Sequence, residues 1–194
     1  MISDFHKVIL TDCDGVLMNW EYAFHTWMKH KGYNMMPGGE DIYDIGARYD
    51  ISKEQKKKLI VEFNNSSSIG YLPPLRDAMY YIDLLHRKCG YVFHMITSLS
   101  LETAAQQLRI ENTKKLFGET AFEKFIFCDT GADKDEVLEP YRDSGYLWVE
   151  DKIENAELGN RLGLQSIIME HGHNMRYEEL PRVKNWAEVY DTLV

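Results

Sequence analysis

The sequence predicts an α/β fold: a doubly wound, Rossmann-like parallel sheet with a small helical cap inserted after the first strand. Three observations predict it. Short apolar runs recur along the chain, segments of helical period separate them, and one long stretch after the first run breaks the alternation. Apolar runs of this length suit strands covered on both faces. Alternation of such strands with helices builds a parallel sheet whose ligands bind beyond the carboxyl ends of its strands.

The first run is Val8-Ile9-Leu10-Thr11, which stops abruptly at Asp12. The stretch 18–72 that follows is too long for a simple crossover and carries its own helical patterns, Tyr22 to Lys31 and Ser52 to Phe63. Ser52-Lys53-Glu54-Gln55 has the capping-box form, in which the Ser hydroxyl and the Gln amide each satisfy an orphan backbone donor. Pro37-Gly38-Gly39 reads as a turn and Gly70 to Pro74 as the exit linker. The division is therefore a core of 1–17 and 73–194 with a cap of 18–72. Leu75 to Cys89 carries apolar residues at helical spacing (Ala78, Met79, Ile82, Leu85) ahead of a second strand, Tyr91 to Ile96. Lys124 to Cys128 and Tyr146 to Val149 read as the third and fourth strands. A helix over Ala156 to Leu162 then leads to a fifth strand, Gln165 to Met169.

Composition narrows the function classes. With 194 residues, 44% hydrophobic and 27% charged, the chain fits one globular domain with a modest insertion. Its 22 Lys and Arg against 31 Asp and Glu give a net charge of −9, which repels duplex nucleic acid. An anionic substrate must be drawn in by a few placed cations or a metal. Cys13, Cys89 and Cys128 lack CxxC spacing, so neither a disulfide framework nor a zinc knuckle is expected, and a reducing cytoplasm suits them. Met1-Ile2-Ser3-Asp4 opens no signal peptide, and no window approaches a membrane span. Oligomeric state is left open.

The chemistry gathers at the strand ends. Asp12-Cys13-Asp14-Gly15 places two carboxylates two positions apart after a buried strand, where Gly15 permits a turn that aims both at one point. One carboxylate can attack phosphorus while the other protonates the leaving oxygen and activates water. Read alone, the same residues are equally a turn with capping carboxylates. Thr97 and Ser98 close the second strand with hydroxyls that could donate to phosphoryl oxygens or simply cap the next helix. Lys134, after the third strand, could hold the nucleophile and the phosphate, or be a solvated surface group. Glu150 and Asp151 end the fourth strand as adjacent acids, a liability unless they serve a cation such as Mg²⁺.

Acid pair, hydroxyl, lysine and acid pair fall at successive strand ends in that order, and this set resembles the haloacid dehalogenase superfamily. The match covers nearly the whole chain. It implies that Asp12 becomes an aspartyl-phosphate and that Asp14 acts as general acid and base with its backbone carbonyl on Mg²⁺. By the same resemblance Thr97 and Lys134 hold the phosphoryl oxygens, and Asp12, Asp14, Glu150 and Asp151 form the metal site. Glu150-Asp151 departs from the commoner Asp-Asp or Gly-Asp pair, which leaves the role of Glu150 open. Dehalogenase members lack the second aspartate, so Asp14 favours phosphoryl chemistry.

Within the superfamily the chain looks like the 5′(3′)-deoxyribonucleotidases. The similarity lies in Asp-x-Asp-Gly-Val-Leu followed by Trp20, in Leu72-Pro73-Pro74-Leu75, and in the pair Thr97-Ser98. It implies a nucleoside monophosphate as the small phosphorylated substrate, stacked on Trp20, with Ser98 and Lys152 near the phosphate. Trp20, Phe24 and Trp27 are also spaced as one helix face, which is a core pattern. Other readings are a phosphatase for phosphoglycolate or a sugar phosphate, a polynucleotide 3′-phosphatase, and a non-catalytic phospholigand-binding module. The run Lys56-Lys57-Lys58 reads as an exposed helix face, and His171-Gly172-His173 has no sequence partners at metal-ligand spacing.

Overall fold

A computed structural model describes residues 7–194. The Met1–Asp4 opening, read above as free of a targeting signal, lies outside them. Six parallel strands form one sheet: β1 (Val8–Thr11), β2 (Val92–Ser98), β3 (Phe122–Cys128), β4 (Leu147–Glu150), β5 (Gln165–Met169) and β6 (Arg182–Val183). Their order is β3-β2-β1-β4-β5-β6, so the chain winds outward from β1 first to one side and then to the other. The sheet is doubly wound, as expected, and the reversal between β1 and β4 is where such folds open a crevice.

Along β1 the side chains alternate between two buried clusters. Ile9 faces one that includes Phe93, Met95, Val149 and Trp186, while Val8 and Leu10 face another with Ile96, Leu138, Trp148 and Leu158. Both faces are covered, which is why the strands read as continuous apolar runs.

Eight α-helices lie in the described chain, beside four short 3₁₀ turns: α1 (Trp20–His30), α2 (Ile45–Tyr49), α3 (Lys53–Asn64), α4 (Ala78–Arg87), α5 (Thr103–Phe117), α6 (Asp135–Leu138), α7 (Ile153–Arg161) and α8 (Trp186–Leu193). The first three lie in the stretch between β1 and α4. That stretch enters and leaves at one point, for Asn19 N donates to Pro73 O at 2.9 Å and Leu75 N to Leu17 O at 2.8 Å. Its aromatic residues Phe24 and Phe63 are buried in the same cluster as Ile9 of β1, Ile82 of α4 and Ala105 of α5, so it shares one core with them.

Several expectations need correction. Ser52 does cap α3, accepting from Gln55 N at 3.2 Å. The reciprocal bond from Ser52 N to the Gln55 side chain is absent among the described residues, and the Gln55 Nε2 donates to Tyr33 Oη at 2.9 Å. Lys57 and Lys58 are exposed, but Lys56 is half-buried and ion-paired with Asp44 at 2.5 Å. Helix α7 begins three residues ahead of Ala156, and α4 is shorter than Leu75 to Cys89. Both β6 and α5 went unpredicted. The first is two residues long; the second buries Arg109, Asn112 and Thr113 where a sequence pattern would look for aliphatic residues. No helix among the described residues is long and apolar enough to cross a membrane.

Candidate active site

The ends of β1, β2 and β4 and the loop after β3 converge on the floor of a cleft of about 390 Å³, lined above by residues of α1, α2 and α3. Asp12, Asp14, Thr97, Ser98, Lys134, Asp151, Lys152 and Trp20 all line it, so residues far apart in sequence meet there. Glu150 is fully buried just beneath.

The turn after β1 is built on Gly15, whose backbone sits at φ +74°. A Cβ there would lie 2.4 Å from Asp151 Oδ2, so the residue must be glycine both for its left-handed backbone and for the approach of the two acidic loops. Asp12 N donates to Val149 O at 3.0 Å and extends the β1–β4 ladder by one residue, which fixes the carboxylate at the strand end. Asp12 Oδ1 accepts from Cys13 N at 2.6 Å and Oδ2 pairs with Lys134 Nζ at 2.9 Å.

Lys134 is 1% exposed, and its ammonium also meets Glu150 Oε2 at 2.8 Å and stands 5.1 Å from the ring centre of Trp148. Burial alone would discharge this lysine, but the two carboxylates hold its pKa above the ordinary range. Glu150 has both oxygens engaged. Oε1 accepts from the backbone N–H groups of Asp151 and Lys152 at 3.1 and 3.0 Å, and Oε2 accepts from Lys134 and from Asn155 Nδ2 at 3.2 Å.

Charge accumulates on the remaining acids. Asp12 is pushed up to about 7, chiefly by burial and then by Glu150, against the opposing pull of Lys134. Asp151 is also pushed up to about 7, by burial and by Asp12. Oxygens of Asp12, Glu150 and Asp151 lie within 4.8 Å of one another, the one such cluster among the described residues. An all-oxygen, carboxylate-rich set suits a hard divalent cation such as Mg²⁺, which would relieve the repulsion that raises both pKa values. Since the oxygens of Glu150 are already occupied, Asp12 and Asp151 are the side chains with capacity left for a metal.

Asp14 points elsewhere. Its Oδ1 pairs with Arg109 Nη1 at 2.5 Å, and the same nitrogen lies 2.8 Å from Cys13 Sγ. Burial raises the Asp14 pKa more than Arg109 lowers it. Arg109 itself is fully buried, and its Nε and Nη2 have no partner among the described residues. Nothing in the motif spacing pointed to it. The available signal was an arginine in the middle of a helical line of small and polar residues, Ala105, Arg109, Asn112, Thr113, a line that only a site would bury. Arg109→Leu is expected to lower the unfolding free energy by about 3 kcal/mol in a urea titration, the scale of a broken buried pair. Adding Asp14→Asn should lower it little further, because both changes remove the same pair.

The hydroxyls divide. Thr97 is fully buried, and its Oγ1, at the cleft floor, has no partner among the described residues. Ser98 Oγ donates to Ala132 O at 3.0 Å, which ties β2 to the loop carrying Lys134 and leaves this hydroxyl only its lone pairs for a ligand. Trp20 packs one face on Phe24, with centroids 4.6 Å apart and planes 8° from parallel, and its Nε1 donates to Asn64 Oδ1 at 3.0 Å. Asn64, another residue the sequence did not single out, in turn donates to Leu99 O at 3.1 Å and so joins α3 to the end of β2.

The loop after β5 also reaches the site. His171 Nε2 donates to Gly15 O at 2.6 Å, and His173 Nε2 to Asp151 O at 3.2 Å. The partners that the histidines lacked in sequence are thus backbone carbonyls of the two acidic loops.

A family model described as 5′ nucleotidase, deoxy (pyrimidine), cytosolic type C protein matches residues 6–194. An uncharacterized 32.4 kDa protein from the Gp30-rIII intergenic region of Enterobacteria phage T4 is 31% identical over 137 residues, covering 67% of this chain. This chain spans 48% of that relative's length. Among solved structures, a haloacid dehalogenase-like family hydrolase from Streptococcus pneumoniae aligns at TM-score 0.69 and 13% identity, covering 97% of this chain and 98% of that one. D,D-heptose 1,7-bisphosphate phosphatase from B. bronchiseptica, complexed with magnesium and phosphate, aligns at 0.60 and 13% identity over 96% and 97%. CbbY from Rhodobacter sphaeroides, in complex with phosphate, aligns at 0.58 and 16% identity over 94% and 96%. At these identities the structural likeness speaks to the fold.

Proposed function

Since this chain belongs to the family of the 5′ nucleotidase, deoxy (pyrimidine), cytosolic type C proteins, within the haloacid dehalogenase superfamily, we propose that it is a Mg²⁺-dependent phosphomonoesterase acting on nucleoside monophosphates. One observation carries the reading. Asp12 and Asp151, both pushed up to about 7, share the floor of the cleft with the buried cation Lys134 and the unpartnered hydroxyl of Thr97. Such a floor suits a phosphoryl group: a nucleophilic carboxylate, an ammonium and a hydroxyl for its oxygens, and room for a hard cation.

In the first half of the reaction an Asp12 oxygen forms a bond to phosphorus while the bond to the leaving oxygen breaks. Asp14 supplies the proton that the leaving alkoxide needs; burial shifts its pKa upward, the direction a general acid requires, and Arg109 fixes the carboxyl in place. In the second half Asp14 takes a proton from water, the water oxygen attacks phosphorus, and the Asp12–phosphorus bond breaks to release phosphate. Lys134 and Thr97 hold the non-bridging oxygens through both halves. Asp12 and Asp151 would hold Mg²⁺, which would supply the charge neutralisation that lets an anionic nucleophile approach an anionic ester. Glu150 acts in this scheme through Lys134, as the buried carboxylate that positions it.

The helices between β1 and α4 serve as the cap, with Trp20 presenting its cleft-lining part to the base and Ser98 and Lys152 flanking the phosphate. A cleft of about 390 Å³ is within the size range of small-ligand sites. The cytoplasm is the compartment that a free-thiol protein of this family suits.

The test is release of inorganic phosphate with and without Mg²⁺ from deoxynucleoside monophosphates, ribonucleoside monophosphates, sugar phosphates, phosphoglycolate and 3′-phosphorylated oligonucleotides. Deoxynucleoside monophosphates should rank first by kcat/KM, and EDTA should abolish turnover. Preference for a non-nucleotide ester or for the oligonucleotide would overturn the substrate class while leaving the chemistry.

A further inference from the structure

We propose that the turn His171-Gly172-His173-Asn174 positions the two metal-bearing loops and couples them to the helices above the cleft. The inference rests on the Mg²⁺ reading of the previous subsection but concerns residues that neither the motifs nor the reaction scheme uses.

Three side-chain donors in four residues reach the backbone of both acidic loops. His171 Nε2 donates to Gly15 O at 2.6 Å, in the loop that carries Asp12 and Asp14. His173 Nε2 and Asn174 Nδ2 donate to Asp151 O at 3.2 and 2.9 Å. The two loops already touch, since the space beside Gly15 is filled by the Asp151 carboxylate, and His171 Nε2 lies 3.4 Å from that same point. A displacement of the turn therefore acts on the Asp12 and Asp151 loops together.

The turn is held from behind. Asn174 is fully buried, its Oδ1 accepts from His171 N at 3.0 Å, and its Nδ2 also donates to Met169 O at 2.9 Å, at the end of β5. Arg182 Nη2 donates to Asn174 O at 2.8 Å and brings in β6. The imidazoles of His171 and His173 stack with centroids 5.6 Å apart and planes within 7°. On its open side His173 meets Tyr43, whose ring centre is 4.4 Å away. Tyr43 belongs to the stretch between α1 and α2, so a chain of ring contacts, with Tyr43 tilted 36° from His173, runs from that stretch to the backbone of Asp151.

Partners that orient metal-bearing groups without touching the ion typically change metal affinity by about 10–100-fold when removed. The experiment is calorimetric titration of the full chain with Mg²⁺ in the absence of substrate, paired with the melting temperature in EDTA. His173→Ala should raise the Mg²⁺ dissociation constant by about tenfold while the melting temperature in EDTA stays near that of the wild type. His173→Gln, which keeps an N–H donor, should recover most of the affinity. Tyr43→Ala, which removes no donor to either loop, should weaken Mg²⁺ binding in the same direction. The proposal falls if His173→Ala leaves Mg²⁺ affinity within twofold, or if Ala and Gln lose it alike in step with a lower melting temperature, the mark of a purely structural role. Wild-type protein that binds Mg²⁺ but releases no phosphate from any ester would sink the functional reading and spare this one. Wild-type protein that binds no Mg²⁺ would sink both.

Discussion

Asp12→Asn should reduce Mg²⁺-dependent phosphate release by on the order of 10⁴–10⁶-fold, the scale seen when a covalent nucleophile is removed, with no loss of folded protein. The second half separates a chemical defect from a structural one, and its direction follows from the electrostatics of the cluster. In the metal-free fold Asp12 holds its proton up to about 7, against an ordinary carboxylate value of 3.8. Between those values the folded state binds more protons than the unfolded one, so wild-type stability declines as pH rises from about 4 to about 7. Asparagine carries no charge to bury. At pH 8 in EDTA the variant should therefore melt at or above the wild-type temperature, and near pH 4 the two should converge. Differential scanning calorimetry at the two pH values, beside a phosphate-release assay, checks both halves. Turnover within a hundredfold of wild type would remove Asp12 as nucleophile.

Lys134→Met should produce the largest loss of stability among single changes at the site. It withdraws the ammonium that lies 2.9 Å from Asp12 and 2.8 Å from Glu150 and leaves a fully buried glutamate without a counter-ion. Breaking a buried pair by removing one member costs about 3–5 kcal/mol. Urea unfolding, followed by the fluorescence of buried Trp148 beneath the ammonium, measures it. Phosphate release should fall by about 10²–10³-fold for the protein that remains folded, as when one donor to a developing oxyanion is deleted. Adding Glu150→Gln should restore part of the stability and none of the activity, because the buried charge is gone but the phosphate still lacks its cation. A double variant no more stable than Lys134→Met would mean that Glu150 does not depend on the lysine.

Much of this molecule could be read from residues alone, for identifiable reasons. Strands β1, β2, β4 and β5 are covered on both faces, so burial writes itself as unbroken apolar runs. The acids and hydroxyls stood out as candidates because they stand at strand ends, which are visible where those runs stop, and Lys134 by its place in the loop after β3. What escaped depends on contacts that no spacing encodes. Helix α5 hid because its inward face carries Arg109 and Asn112 toward the site and the turn at Met18. The four donors that surround Glu150, among them the ammonium of Lys134, could not be read from its place beside Asp151. The residues lining the upper side of the cleft were the least legible. Asn64, Tyr43 and Arg48 are polar or half-exposed, and Arg48 is held by Glu21 and by Ile42 O, partners whose proximity only the packed structure provides.

The pairing of Leu17 with Leu75 and of Asn19 with Pro73 bears on how such a protein could acquire new specificities. The 55-residue stretch 18–72 departs from and rejoins the sheet through neighbouring backbones, so exchanging it for a segment of another length would leave every strand in its register. Yet Phe24 and Phe63 lie in the same apolar cluster as Ile9, so a graft succeeds only if it brings matching aromatic bulk to that seam. Modularity here is topological without being energetic: the connection permits exchange, and the shared core selects which exchanges survive.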